Sequence, residues 1–358
     1  MSDLPARCGD PSMAEASSLH HPVHKAWLLQ RQEDALLPDL PIVDAHHHLW
    51  DRPQGRYLAG EFSRDLATGH RVIASVYVQC RSMLRRQGPD SMKPVGEVEF
   101  ANGVAAMFDR GDYGAARACA AIVAGADLTL GRELPDVLEA MLMVSGGRVR
   151  GIRNPLAWHA SAQVRSTPLP PPRDLMSAHA FREGCAVLAQ FGLVLDAWVY
   201  HTQLDALFDL AVRFPELTVV IDHFGGPLGV GPYAGRRNEV REVWKRSIAR
   251  LAELPNTRIK LGGAGMKVFG FDFAARALPP SSDELARAWR PYFEACVEQF
   301  GVDRCMVESN FPVDKGMFSY ATVLNAFKRL VQGASHDEQM ALFNRTAAST
   351  YGVDLFER

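Results

Sequence analysis

The sequence lacks the features of a disulfide-stabilised, membrane-spanning or nucleic-acid-binding protein. No pair of its cysteines has Cys-x-x-Cys spacing, so neither a disulfide framework nor a thiolate metal site is expected. No apolar run reaches the about 18 residues of a transmembrane helix. Its 39 basic and 41 acidic residues give a net charge of −2, without the basic excess that a phosphate backbone attracts. These absences predict a cytoplasmic protein whose partners are small molecules, without nucleic acid or membrane. The six scattered cysteines are Cys8, Cys80, Cys119, Cys185, Cys296 and Cys305.

Short apolar runs recur between helical patterns along the 358 residues. Continuous apolar runs that alternate with helices predict a parallel sheet covered on both faces. Eight such units are the number that closes a (β/α)8 TIM barrel, which is an α/β fold. The predicted strands are 41–46, 72–79, 118–124, 148–153, 193–198, 218–222, 257–261 and 304–309.

The barrel is predicted to be one domain with long βα loops. A doubly wound sheet is the alternative, but no glycine-rich fingerprint follows the first predicted strand. Residues 1–40 are expected to form an N-terminal tail and a packing helix, and residues 41–358 the barrel domain. The apolar pattern of residues 27–37 predicts that helix, packed on the bottom of the barrel.

Three consecutive histidines follow the first predicted strand. Alternate side chains of an extended chain share a face, so His46 and His48 point one way and His47 the other. Two imidazoles at a strand end can hold a metal or polarise a carbonyl. Active sites of TIM barrels lie at the C-terminal ends of the strands. Other polar residues predicted at these ends are Gln79, Arg153, Asp196, His223 and Asn310.

Arg153 is a candidate carboxylate clamp, because a guanidinium can bind both oxygens of a carboxylate at once. A salt bridge within the barrel wall is the alternative for this arginine. Asp222 precedes His223, so it is expected to point away from the mouth and to orient a loop. Gln79 and several aromatic side chains are predicted to line the substrate pocket: Trp50, Tyr57, Trp158 and Trp198.

Six motifs in the same order resemble the amidohydrolase superfamily, amidohydrolase family 2, over roughly residues 41–355. The resemblance is strongest to the branch that holds 2-pyrone-4,6-dicarboxylate lactonase and the sugar-lactone hydrolases. It implies a TIM barrel that hydrolyses a small carbonyl compound. The opening signature is Asp44 to Asp51, and the six motifs that follow it are Val78-Gln79, Gly151-Ile152-Arg153, Phe214 to Leu217, Ile221 to Pro227, Lys260 to Gly263, and Phe300 to Val313.

One residue departs from the family pattern. The resemblance implies an aspartate as general base in the last motif, where this chain has Asn310. An amide cannot accept a proton at working pH. Glu308 shares a strand face with Asn310 by the period of two, and Asp314 follows in the loop. Both are candidate bases, with a buried ion pair between Glu308 and Lys260 as the alternative.

The resemblance also bears on metals. Metal-dependent members use two histidines after the first strand, a later histidine and the aspartate that Asn310 replaces. The related lactonases are implied to work without metal, so no cofactor is expected here. If zinc or manganese binds, its ligands are predicted to be His46, His48 and His223, with His159 or His201 as an additional ligand.

The predicted function is that of a catabolic, lactonase-like hydrolase of a small cyclic ester that carries a carboxylate. His46, His48 and His223 would polarise the carbonyl, Arg153 would anchor the anion and Asn310 would position the water. A metal-dependent decarboxylase or hydratase of the same superfamily is the alternative enzyme. An inactive barrel that binds a small carboxylate is the alternative outside enzymes. The composition also permits a homo-oligomer.

Overall fold

The computed structural model describes residues 19–53 and 55–355. Its eight-stranded sheet is parallel throughout, and each strand pairs with the next one along the chain. The last strand returns to the first through a bridge between His47 and Phe311, and Asn310 N donates to His46 O at 2.9 Å. The predicted TIM barrel is therefore confirmed. The barrel strands are β1 (Ile42–His47), β4 (Val72–Val78), β5 (Arg117–Ala124), β6 (Val149–Ile152), β7 (Val194–Ala197), β8 (Val219–Ile221), β9 (Thr257–Leu261) and β10 (Cys305–Val307).

Helices surround the strands, and a short hairpin follows β1. The hairpin pairs β2 (Trp50–Arg52) with β3 (Gly55–Tyr57) in antiparallel fashion. None of the helices in the described ranges is long and apolar enough to cross a membrane. The α-helices are α1 (Lys25–Leu28), α2 (Ala59–Leu66), α3 (Val95–Asp109), α4 (Leu134–Val144), α5 (His179–Gln190), α6 (Leu204–Arg213), α7 (Arg237–Ala252), α8 (Ser282–Phe300), α9 (Tyr320–Leu330), α10 (His336–Met340) and α11 (Thr346–Tyr351).

The prediction of a helix over residues 27–37 on the bottom of the barrel is wrong both in the length of the helix and in its position. Only Lys25–Leu28 is helical. Beyond it, Asn325 of α9 bonds Leu36 N at 2.8 Å and Asp34 O at 2.9 Å, so these backbone groups are not available to a helix. Trp27 donates to the carbonyl of Arg276 at 3.0 Å in the loop after β9. The segment therefore runs along the outside of the barrel.

An extra residue in β1 turns the histidines toward the mouth. Val43 and Ala45 belong to the apolar cluster that fills the barrel interior, and strict alternation would send His46 outward. The register with β4 shifts between Asp44 and His47, which marks a β-bulge. His47 consequently faces outward and stacks on Phe62 at 4.2 Å, whereas His46 and His48 face inward together.

Candidate active site

The first group of the site lies where β1, β4 and β6 end. His46 Nε2 is 3.2 Å from His48 Nε2 and 3.2 Å from Nη1 of Arg153. Nη2 of Arg153 donates to the carbonyl of Gln79. His46 is fully buried and His48 almost so, and 11% of the Arg153 side chain is exposed. Three of the residues predicted to form the mouth therefore meet, and Arg153 is the one that reaches solvent.

A backbone hydrogen bond fixes the proton of His48, whereas the neighbours of His46 permit two tautomers. His48 Nδ1 donates to the carbonyl of Val78 at 2.7 Å, so its Nε2 is an acceptor. With its proton on Nε2, His46 donates to His48 and its Nδ1 accepts from Lys260 Nζ at 3.2 Å. With the proton on Nδ1, His46 donates to Glu308 Oε2 at 3.0 Å and its Nε2 accepts from Arg153. Burial and the positive charge of Lys260 lower the pKa of His46 to about 4. Burial likewise holds the pKa of His48 well below its usual value, so both rings are neutral near pH 7.

The second group is a carboxylate–imidazole pair formed by Glu308 and His223. His223 Nδ1 donates to Glu308 Oε1 at 2.6 Å. Burial raises the pKa of Glu308, but His223 and His46 outweigh burial and hold the pKa at about 2. Among the described residues, none forms a hydrogen bond with His223 Nε2. In the neutral tautomer whose Nδ1–H donates to Glu308, Nε2 is the acceptor.

Two glycines after β9 make room for this pair. A Cβ on Gly262 would lie 2.3 Å from Cγ of Glu308, and a Cβ on Gly263 would lie 2.4 Å from Nδ1 of His223. Gly263 also has a φ of +68°, which side chains disfavour. His223 itself has a φ of 54°, so its ring enters the site through a left-handed turn. Gly262 and Gly263 therefore permit the close approach of Glu308 and His223 to this loop.

Beneath the imidazoles lies a charge network that the sequence did not reveal in full. Lys260 Nζ is 2.5 Å from Asp196 Oδ2 and 3.1 Å from Asp222 Oδ1. The other oxygen of Asp222 lies 3.5 Å from Arg153 Nη1. Asp222 thus points into the barrel, and the prediction that it faces away is wrong. Val220 belongs to the interior cluster, and the period of two from Val220 was the signal that would have placed Asp222 inside.

The network joins two cations, Lys260 and Arg153, to two carboxylates, Asp196 and Asp222. Burial lowers the pKa of Lys260, but Asp196 and Asp222 outweigh it and raise the pKa. Burial raises the pKa of Asp222, but Lys260 and His46 bring it well below the usual value. At Asp196 burial prevails over Lys260 and raises the pKa to about 6. Lys260 is therefore the cation that keeps Asp222 ionised inside the barrel.

The two residues at the end of the last motif bond to each other. Asn310 Nδ2 donates to Asp314 Oδ1 at 2.8 Å, and Gly265 N donates to Asp314 Oδ2 at 2.9 Å. Burial raises the pKa of Asp314 well above its usual value. Since both of its oxygens are engaged, Asp314 joins the loops after β9 and β10.

The predicted aromatic lining is divided between several places. The ring of Trp50 stacks on His48 with centroids 6.2 Å apart, and that of Trp198 meets His223 edge-on at 4.8 Å. Tyr57 instead bonds Asp65 of α2 at 2.6 Å, and Trp158 lies under Arg173 at 5.5 Å. Trp50 and Trp198 therefore adjoin the imidazoles. Tyr57 and Trp158, in the part of the chain that the structure describes, contact other residues instead.

His159 and His201 are not presented as metal ligands. Nδ1 of His159 accepts from Ser161 N at 3.0 Å, and Nδ1 of His201 accepts from Leu228 N at 3.3 Å. Burial lowers the pKa of both rings. A neutral ring that accepts at Nδ1 carries its proton on Nε2, so neither nitrogen has a free lone pair.

The imidazoles around Glu308 have distances that suit a metal ion. His46, His223 and Glu308 place one ligand atom each within 4.8 Å of one another. The 3.2 Å between the Nε2 atoms of His46 and His48 matches two ligands of one zinc at about 2.0–2.1 Å. Among the described residues, the oxygens of Asp222 and Oε2 of Glu308 lack well-aligned hydrogen bonds. Lys260 Nζ nevertheless lies 3.1 Å from Asp222 Oδ1, and His46 Nδ1 lies 3.0 Å from Glu308 Oε2. Arg153 and Lys260 oppose a metal, because each cation lies 3.2 Å from a nitrogen of His46.

A parallel barrel with imidazoles, an arginine and a carboxylate at its C-terminal end is the arrangement of TIM-barrel enzymes. The sequence model of the amidohydrolase family matches residues 43–353. The chain therefore belongs to the amidohydrolase family, which confirms the resemblance of its motifs.

Known proteins with similar sequences or folds agree with this assignment. The y4mH protein of Sinorhizobium fredii is 29% identical over 341 residues, which are 88% of this chain and 100% of that protein. L-fucono-1,5-lactonase of Burkholderia ambifaria is 32% identical over 169 residues, 47% of this chain and 48% of its own. A solved amidohydrolase of Burkholderia multivorans with bound zinc has a TM-score of 0.67 and 24% identity, covering 87% of this chain and 99% of its own. At that identity the solved structure supports the fold.

Proposed function

We propose that the protein hydrolyses a small cyclic ester that carries a carboxylate. The observation that carries the proposal is the pair of His223 and Glu308 beside the His46–His48 couple and Arg153. The likeness of half the chain to a sugar-lactone hydrolase supports the same chemistry. The buried free thiols, such as Cys185 and Cys305, are consistent with a cytoplasmic location, which is part of the proposal.

His223 is the proposed general base. Its Nε2 takes a proton from water, and Glu308 stabilises the imidazolium that forms, as the carboxylate does in a carboxylate–histidine pair. Glu308 then acts through His223, as a positioning residue, because Oε1 is 2.6 Å from Nδ1 of that ring. In this proposal Asp314 does not act as base, since Asn310 and Gly265 occupy its oxygens.

The other residues bind and polarise the substrate. In the proposal His46 carries its proton on Nε2, and this proton is available to the ester carbonyl oxygen, where negative charge develops. Arg153 has N–H groups beyond the one that it donates to the carbonyl of Gln79, and these anchor the carboxylate. Water attack on the carbonyl carbon then breaks the ring C–O bond, and the proton held by His223 passes to the leaving oxygen.

A panel of lactones tests this function directly. Ring opening releases an acid, so a pH indicator follows each compound without a coupled enzyme. The proposal expects turnover of at least one carboxylate-bearing lactone by the purified protein. Binding of such compounds by calorimetry without turnover of any of them would instead support the inactive carboxylate-binding barrel.

We predict that Arg153→Lys raises KM for a carboxylate-bearing lactone by about tenfold or more. Lysine keeps the charge but cannot bind both oxygens of a carboxylate in the plane of a guanidinium. Steady-state kinetics would measure the change, with Arg150→Lys on the exposed face of the same strand as control. Unchanged kcat and KM in Arg153→Lys would assign this arginine to the barrel wall.

A metal-dependent decarboxylase or hydratase is the second candidate, favoured by the 3.2 Å between the two Nε2 atoms. A metal held by His46, His48 and His223 would act as a Lewis acid on a carbonyl or carboxylate. The hydrolase proposal needs no metal, because the same two nitrogens share a proton.

We therefore expect substoichiometric zinc and manganese in the purified protein and unchanged lactone hydrolysis after chelation. Elemental analysis of dialysed protein, paired with assays before and after EDTA, measures both. One equivalent of retained zinc or manganese, lost together with activity and restored by re-addition, would support the second candidate.

A further inference from the structure

A large cavity lies outside the barrel, between the N-terminal segment 20–33 and the β2–β3 hairpin. Its volume is about 920 Å³, within the range of about 300–1,000 Å³ that small-molecule sites occupy. Helix α2 and the loop after β10 complete its wall through Asp65, Pro312 and Lys315. Among the described lining residues, none of the three imidazoles of the candidate active site is present. The cavity is therefore separate from that site.

One side of the cavity is apolar and shares a wall with the candidate active site. Leu28, Tyr57 and Pro312 line it together with Trp50. The ring of Trp50 stacks on His20 with centroids 6.1 Å apart at one side and on His48 at 6.2 Å at the other. Arg52 also lies over the Trp50 ring at 4.2 Å. A planar apolar ring would therefore pack beside Trp50, against Leu28, Tyr57 and Pro312, and not on the faces of the indole.

The charged lining has more cations than anions. Two arginines, Arg56 and Arg64, share one carboxylate, that of Glu61, at 2.9 and 3.0 Å. Asp65 is already bound by Lys315 and by Tyr57, and Glu33 accepts from Ser282 N at 2.8 Å. The carboxylates are therefore engaged within the protein, and positive charge is left over. The cations are Lys25, Arg31, Arg52, Arg56, Arg64 and Lys315, and the carboxylates are Glu33, Glu61 and Asp65.

We propose that this cavity binds a small aromatic carboxylate, with the ring beside Trp50 and the carboxylate near Arg56 and Arg64. The surplus of cations selects the anion, and the apolar side selects the planar ring. The site is additional to the proposed hydrolase site and does not depend on turnover.

Calorimetric titration with 2-naphthoate tests the proposal. A saturable site that persists in Arg153→Lys is expected, with affinity for the neutral 2-naphthamide weaker by about tenfold or more. Arg56→Gln with Arg64→Gln should weaken 2-naphthoate by about tenfold, because glutamine keeps a hydrogen-bond donor for Glu61 but removes both charges. Arg287→Gln with Arg290→Gln removes two paired arginines from α8 and should leave the affinity unchanged.

A second variant separates the cavity from the active site. Arg153→Lys should leave 2-naphthoate binding unchanged, and Trp50→Phe should remove the fluorescence change that accompanies binding. Weaker binding in Arg153→Lys, together with unchanged binding in the Arg56→Gln, Arg64→Gln variant, would place the ligand at the barrel mouth and overturn the proposal. Absence of saturable binding to the folded protein would overturn it as well.

Discussion

Replacing Glu308 by glutamine should lower kcat by about 10³–10⁴-fold and leave KM nearly unchanged. The same order of loss follows when the carboxylate of a catalytic carboxylate–histidine pair becomes an amide. The amide no longer stabilises the imidazolium, and its nitrogen can reverse the tautomer of His223, whose Nδ1 lies 2.6 Å from Oε1. KM should change little because Glu308 is fully buried beneath the ring of His223. Steady-state kinetics on an active lactone measures both constants.

Two controls define this result. Glu298→Gln changes a carboxylate on the surface of α8, 3.7 Å from Lys245, and should leave kcat unchanged. Asp314→Asn should keep kcat within about tenfold, because Asp314 joins two loops and does not touch His223. Near-normal turnover by folded Glu308→Gln, together with a large loss in Asp314→Asn, would make Asp314 the base.

Replacing Lys260 by methionine should lower the free energy of unfolding by about 3–5 kcal/mol. Lys260 is fully buried, and it lies 2.5 Å from Asp196 and 3.1 Å from Asp222. Methionine fills much of the same space but leaves two buried carboxylates without their cation. Chemical denaturation followed by circular dichroism measures the loss.

The matched control is Lys245→Met, which removes a half-exposed lysine from its surface pair with Glu298. Such pairs contribute about 0–1 kcal/mol. Adding Asp196→Asn to Lys260→Met should restore part of the lost stability, since it removes one unpaired charge. If Lys260→Met is as stable as the control, the network does not depend on this cation.

The barrel and the outline of its mouth could be predicted because both depend on local pattern. The β-branched runs give the strands, and strands of a barrel deliver their last residues to one end. His46, His48, Arg153 and His223 could thus be grouped despite their distance in sequence. The sequence also predicted that His46 and His48 share one face of the strand and that His47 lies on the other. It did not predict the bulge that turns His46 and His48 inward.

The partners of these residues could not be predicted, since they depend on backbone details. His223 has a left-handed backbone conformation, which breaks the alternation of side chains between the two faces of a strand. The prediction that Asp222 points away from the mouth, which assumed that alternation, was therefore wrong. The bond between Glu308 and His223 joins residues 85 positions apart, and its length depends on Gly262 and Gly263. The helix predicted in the segment before β1 does not extend over it, because Asn325 of α9 donates a hydrogen bond to the carbonyl of Asp34.

The seam between β1 and β10 has a consequence for how the protein matures. The carbonyl oxygen of His46 accepts a hydrogen bond from Asn310 N across this seam, and His48 N donates to Phe311 O at 2.7 Å. Glu308 Oε2 therefore comes to lie 3.0 Å from His46 Nδ1 only when the last strand has docked on the first. A nascent or clipped chain that lacks β10 has its histidines but not the carboxylate that orients them. Recovery of hydrolysis during refolding would thus report barrel closure, later than the recovery of helical signal.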